Sequence, residues 1–128
     1  MTRKPLAALA VAGLLAAALA TAAPASAKAG DVIKSGKCSA ASVSWKLKAK
    51  PDNGKIEVEF EVDSNVNGQV WAWTLKDNGA KVAGGNATTV APSGSFTVRR
   101  LIANRAGADK IVGTATRGAV TCTGSITL

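Results

Sequence analysis

The chain has 128 residues, a net charge of +8 from 16 Lys and Arg against 8 Asp and Glu, two Cys and no His. The lack of imidazole excludes Ser-His-Asp triads, His-ligated zinc and imidazole acid–base pairs, and the length suits one domain. The basic balance favours anionic partners over acidic-site chemistry.

The first predicted element is an export leader. Arg3 and Lys4 form a charged start, Leu6 to Ala20 is an apolar stretch of Ala, Leu, Val and Gly, and Ala25-Ser26-Ala27 supplies the small residues of a cleavage site. Cleavage before Lys28 is expected, with residues 1–27 as signal peptide and 28–128 as a secreted, extracellular domain of 101 residues. No stable membrane anchor is expected, because the stretch is short and Ala-rich and ends at Pro24. A lipid anchor would need a Cys at the cleavage point, and the first is Cys38.

From Val32 to Leu128 apolar residues recur with period two, and Gly, Pro, Asn and Asp interrupt them about every ten residues. This predicts an all-β antiparallel sandwich of seven or eight strands, at 32–39, 42–50, 55–63, 69–77, 80–90 with a break at Gly84-Gly85, 94–102, 109–117 and 119–127. Cys38 and Cys122 fall in the inward rows of the first and last strands. An even Cys count in an exported chain predicts a disulfide between them.

The second and third strands fix their own pairing. Trp45, Leu47 and Ala49 alternate with Lys46, Lys48 and Lys50, and Ile56, Val58, Phe60 and Val62 alternate with Glu57, Glu59, Glu61 and Asp63. A two-residue Asn53-Gly54 turn places Lys50, Lys48 and Lys46 opposite Glu57, Glu59 and Glu61. A four-residue loop over 51–54 places Lys48 and Lys46 opposite Glu57 and Glu59. Either gives a solvated ladder of opposite charges, and carboxylates spaced along one strand do not converge on a Ca²⁺ ion.

Farther along, Trp71, Trp73 and Leu75 share a row, as do Trp45 and Leu47, which assigns the tryptophans to the core before any ligand platform. Arg99 and Arg100 are adjacent in one strand and point to opposite faces, so one of them is expected to leave the inward row at a bulge or strand end. With Arg105 they form the candidate partner-binding set, since the planar guanidinium suits carboxylate or phosphate groups. Asn86-Ala87-Thr88 matches a glycosylation acceptor pattern, and little weight is placed on it.

Trp45-Lys46-Leu47, the run from Ile56 to Asp63, Trp73 with Leu75 and Asn78-Gly79, Pro92-Ser93-Gly94-Ser95-Phe96, Val98-Arg99-Arg100 and Ala103-Asn104-Arg105-Ala106-Gly107 span nearly all of the mature chain. In these the chain resembles small secreted two-cysteine proteins of high-GC Gram-positive bacteria with an immunoglobulin-like β-sandwich. The resemblance implies fold and export and brings no activity with it. The two Cys stand at the first and last strands, unlike the antibody arrangement.

The expected function is a monomeric, non-catalytic binding or envelope-associated domain without cofactor or metal. Its partner would be an anionic envelope polymer or a secreted protein, and not nucleic acid. The alternative is a small secreted inhibitor of an extracellular hydrolase, presenting a stiff loop at 64–69, 84–94 or 103–108. A small-molecule carrier would require an apolar pocket between the sheets.

Overall fold

A computed structural model describes residues 30–128, so the leader expected over 1–27 lies outside the described residues. Eight strands follow in order: β1 (Val32–Lys37), β2 (Ser44–Asp52), β3 (Lys55–Asp63), β4 (Val70–Asp77), β5 (Ala80–Thr88), β6 (Ser95–Ala103), β7 (Lys110–Arg117) and β8 (Val120–Thr127). They form two four-stranded sheets of order β1-β2-β3-β6 and β5-β4-β7-β8, with every neighbouring pair antiparallel. The fold is an all-β sandwich, as the period-two pattern requires.

Turn chemistry decides the β2–β3 register. Asn53 and Gly54 have φ of 48° and 80°, both in the left-handed region that a two-residue type I′ hairpin demands. Lys50, Lys48 and Lys46 therefore pair with Glu57, Glu59 and Glu61, and β2 runs on through Pro51 to Asp52. Asn78-Gly79 closes the β4–β5 hairpin in the same way, with φ of 49° and 85°.

The inward rows meet in one core. Leu47, Val58, Phe60 and Val62 from the first sheet pack with Trp71, Trp73, Leu75, Ile111, Ala115 and Ile126 from the second. Each fully buried large side chain of this kind contributes ~1.5–3 kcal/mol. Large residues face small ones: a Cβ at Gly113 would lie 3.0 Å from the Phe60 ring, and one at Gly124 would collide with Trp45. At these two glycines the rings of the first sheet pack directly against the backbone of the second.

Two expectations are corrected. β5 is continuous through Gly84-Gly85, which pair with Thr74 and Trp73, and the irregularity lies earlier. Leu75 pairs with Ala83 and Lys76 with Lys81, which leaves Val82 as the extra residue of a bulge. Arg100 does not leave the inward row either, for it pairs with the buried Val58 in an unshifted register. It stays exposed because β6 is an edge strand.

The Cys38–Cys122 disulfide is formed, with Cα atoms 4.3 Å apart and a sequence separation of 84. Cys38 follows β1 and Cys122 lies in β8, so the bridge crosses from one sheet to the other.

Candidate functional site

The outer face of the first sheet carries the charge ladder. Across β2, β3 and β6 its rows read Lys50, Glu57, Leu101; Lys48, Glu59, Arg99; and Lys46, Glu61, Thr97. Glu57 lies 3.9 Å from Lys50 and 3.5 Å from Arg99, Arg99 also pairs with Glu59, and Lys48 lies 3.9 Å from Asp31. The carboxylates are partly covered while the cations reach solvent, and ion pairs on such a solvent-facing surface contribute about 1 kcal/mol or less each. A shallow, open depression of about 380 Å³ lies beside the ladder, with strand residues Gly36 and Trp45 among side chains of Lys37, Lys46 and Glu61. Trp45 belongs to the inward row and its ring lies between Gly36 and Gly124, so this depression mixes apolar and charged lining. Among the described residues no group of three His, Cys, Asp or Glu could hold a metal ion.

The three candidate arginines are engaged separately. Arg99 points outward into the ladder. Arg100 turns its guanidinium over the Trp73 ring, 5.0 Å from the centroid, and its Nη1 donates to the Arg99 carbonyl at 2.7 Å. Arg105 sits on the loop between β6 and β7, with Nε 4.0 Å from Asp77 Oδ2. They do not converge on one anion site.

Beneath Arg105 lies a pair that the sequence reading passed over. Asp77 and Asp109 are 0% and 1% exposed. Asp77 occupies the last inward position of β4, and Asp109 precedes β7 and accepts from the Arg105 amide at 3.4 Å. Asn78 ties the same loop down, accepting from the Lys110 amide at 2.9 Å and donating to the Ala108 carbonyl at 3.1 Å. Neither Asp77 oxygen meets a hydrogen-bond donor, so a bond between the two carboxyls requires that one of them hold a proton. Burial, then that bond and the charge of Asp109, push the Asp77 carboxyl above the ordinary 3.8, with Arg105 opposing. The missed signal was parity: Asp77 continues the row of Trp71, Trp73 and Leu75, yet it reads as a turn residue before Asn78-Gly79.

At the opposite end of β4, two loops are knitted into a platform. Thr89, 1% exposed, donates from Oγ1 to the Val66 carbonyl at 2.6 Å and accepts from the Gln69 amide at 2.9 Å. Its amide donates to the Gln69 carbonyl and its carbonyl accepts from the Gly68 amide. The buried Ser64 donates from its amide and its Oγ to the Gly94 carbonyl. Gly94 has φ of 80° and its Cα lies so close to the Val66 backbone that any Cβ would collide. This scaffold presents Val66, Val70 and Val90, each half or more exposed.

No family model matches the chain, and no curated protein and no solved structure matches it either.

Proposed function

We propose that the chain is a secreted, non-catalytic binding domain that takes a protein partner at the platform of loops 64–69 and 89–94. The observation that carries this reading is the pairing of buried hydroxyl hubs, Ser64 and Thr89, with exposed Val66, Val70 and Val90. Apolar side chains on a hydrogen-bonded scaffold bind with little ordering cost, since the loops are fixed before the partner arrives. Three exposed valines suit an apolar protein surface better than a charged polymer.

Export is supported by the leader composition of residues 1–27 and by a disulfide, which persists in oxidising compartments. An immunoglobulin-like arrangement is supported by the crossings between sheets at β3 to β4, β5 to β6 and β6 to β7. The second reading, an inhibitor of an extracellular hydrolase, draws on the same paired loops, which project from a stapled sandwich as a unit. Binding of anionic envelope polymer through Arg99, Arg100 and Arg105 has weaker support, because Arg99 is already paired with Glu57 and Glu59.

The test is retention of disulfide-intact residues 28–128 against spent medium and washed envelope of the producing cells, at low and moderate salt. One protein held at both salts, and lost when Val66 and Val90 become Asp, supports the platform. Retention only on envelope, abolished by salt and by Arg99→Ala, Arg100→Ala and Arg105→Ala together, overturns it in favour of the basic surface. Stoichiometric loss of a captured hydrolase's activity would promote the inhibitor reading.

A further inference from the structure

A sheet edge is a row of unpaired N–H and C=O groups, and soluble β proteins blunt such rows with inward-pointing charges, coverings or bulges. This sandwich has four edges, and three are blunted at a position within the strand. On β1, Lys34 sits in the inward row opposite Leu47 and is exposed. On β6, Arg100 does the same opposite Val58. On β8, the Ser39 amide donates to the Thr121 carbonyl and the Thr121 amide to Ser39 Oγ, both at 2.9 Å, beside the disulfide.

β5 differs. Its bulge at Val82 disrupts only the start, and Ala83 to Thr88 then pair with β4 in unbroken register. That segment holds no charge and no Pro. Among the described residues, no hydrogen bond reaches it from any segment but β4. Its outward row of backbone groups is open, and Gly84, Gly85, Asn86 and Thr88 are exposed.

The middle of this open edge lies between two cations on opposite faces. Lys81 lies over Gly84, where an added Cβ would sit 3.1 Å from its Nζ. Arg100 lies over Trp73, whose ring is 3.6 Å from a Cβ built at Gly85. The chain's carboxylates lie on or beside β1, β2 and β3, apart from the buried Asp77 and Asp109, so none neutralises this pair. Successive side chains of a strand point to opposite faces, so a strand laid against Gly84-Gly85 directs neighbouring residues toward Lys81 and Arg100 in turn.

We infer that the Ala83–Thr88 edge of β5 accepts an extended, acidic segment of another protein, which adds a fifth strand to this sheet and sets adjacent carboxylates toward Lys81 and Arg100. Backbone bonds supply affinity and the two cations supply specificity, as in other strand-addition complexes. A second copy of this chain is a poorer occupant, because the same two cations would face each other and the net charge is +8. The inference rests on the binding reading and extends it, since β5 leads directly into Thr89 and Val90 of the platform.

The test uses a displayed library of random peptides about seven residues long, a strand's length, selected against the disulfide-intact domain. Enriched peptides should carry neighbouring acidic residues among β-branched ones, and should slow amide exchange in Ala83 to Thr88. Gly85→Lys supplies β5 with the inward charge of β1 and β6, and it should weaken binding roughly tenfold or more if the mode is strand addition. Attraction by charge alone predicts tighter binding by that variant, so a gain overturns the inference. A library without acidic enrichment overturns it too, as does a dimer that Gly85→Lys dissociates. Lys81→Ala and Arg100→Ala, each shown by its melting profile to stay folded at the assay temperature, should each weaken binding. Val66→Asp with Val90→Asp should leave these peptides bound, which separates failure of this edge from failure of the platform.

Discussion

The two lateral sides of the sandwich are built on opposite principles. Where β1 and β8 meet, the sheets are closed covalently by Cys38–Cys122, by two hydrogen bonds between Ser39 and Thr121, and by Trp45 inserted between Gly36 and Gly124. Where β5 and β6 meet, Arg100 rests on Trp73 and Gly84-Gly85 leave the strand bare. The closed side concentrates stability in tight contacts, whereas the open side leaves backbone and charge available to a partner. Their difference predicts that substitutions on the closed side are felt in folding, and those on the open side chiefly in binding.

The largest effect should come from opening the staple. Closing a loop with a separation of 84 residues removes unfolded-state entropy equivalent to ~4–5 kcal/mol. Cys38→Ser with Cys122→Ser should therefore lower the melting temperature by roughly 20 °C or more for a domain of this size. A fall of only a few degrees would show that Trp45 and the Ser39 bonds close this side unaided.

Glycines give the sharper contrast. A methyl at Gly124 collides with Trp45, while one at Gly85 meets Trp73 at an ordinary 3.6 Å. Gly124→Ala should cost ~1–3 kcal/mol through overpacking. Gly85→Ala should be neutral or stabilise by ~0.4–1 kcal/mol through the unfolded chain. Denaturant midpoints of the two variants decide it, and equal losses would erase the distinction between the sides.

Much of this frame was legible in the residues. Alternation and Asn-Gly turns set the strands, and the facing Lys and Glu rows set the β2–β3 pairing. What a strand's own pattern does not contain is whether it lies at an edge, because that depends on which distant strands pair. The inward Arg100 thus read as a conflict to be relieved by a bulge, and Gly84-Gly85 read as a break. Asp77 was hidden for a related reason: a carboxyl in an inward row makes sense only when Asp109 and Arg105 arrive from a loop about thirty residues away.

That pair supplies the next effect, at the ends of β4 and β7 and away from both sides. A folded-state pKa raised above the ordinary 3.8 means that the folded chain holds its proton more firmly than the unfolded one. The contribution to stability is full below 3.8 and is lost as pH rises through the raised value. Asp77→Asn keeps a donor toward Asp109 without the titration. Melting profiles from acid to neutral pH should lose the descending step in this variant, and its neutral-pH stability should match or exceed that of the parent. An unchanged step would move the titration to another group.

The smallest effects separate two neighbouring arginines. Arg99 is two-thirds exposed and works through charge on Glu57 and Glu59, so Arg99→Ala should cost ~0.2–1 kcal/mol. That loss should shrink in salt, as exposed charges are screened over about 10 Å at 0.1 M. Arg100 rests on an indole, and Arg100→Ala should cost ~0.5–1 kcal/mol. Part of that is contact between guanidinium and ring, which salt does not remove, so the two losses should diverge as salt rises. If both vanish together, Arg100 is held by charge alone and Trp73 is only its neighbour. If the Arg100 loss persists, the indole keeps that guanidinium fixed over the open edge, where an incoming carboxylate would meet a cation already in place.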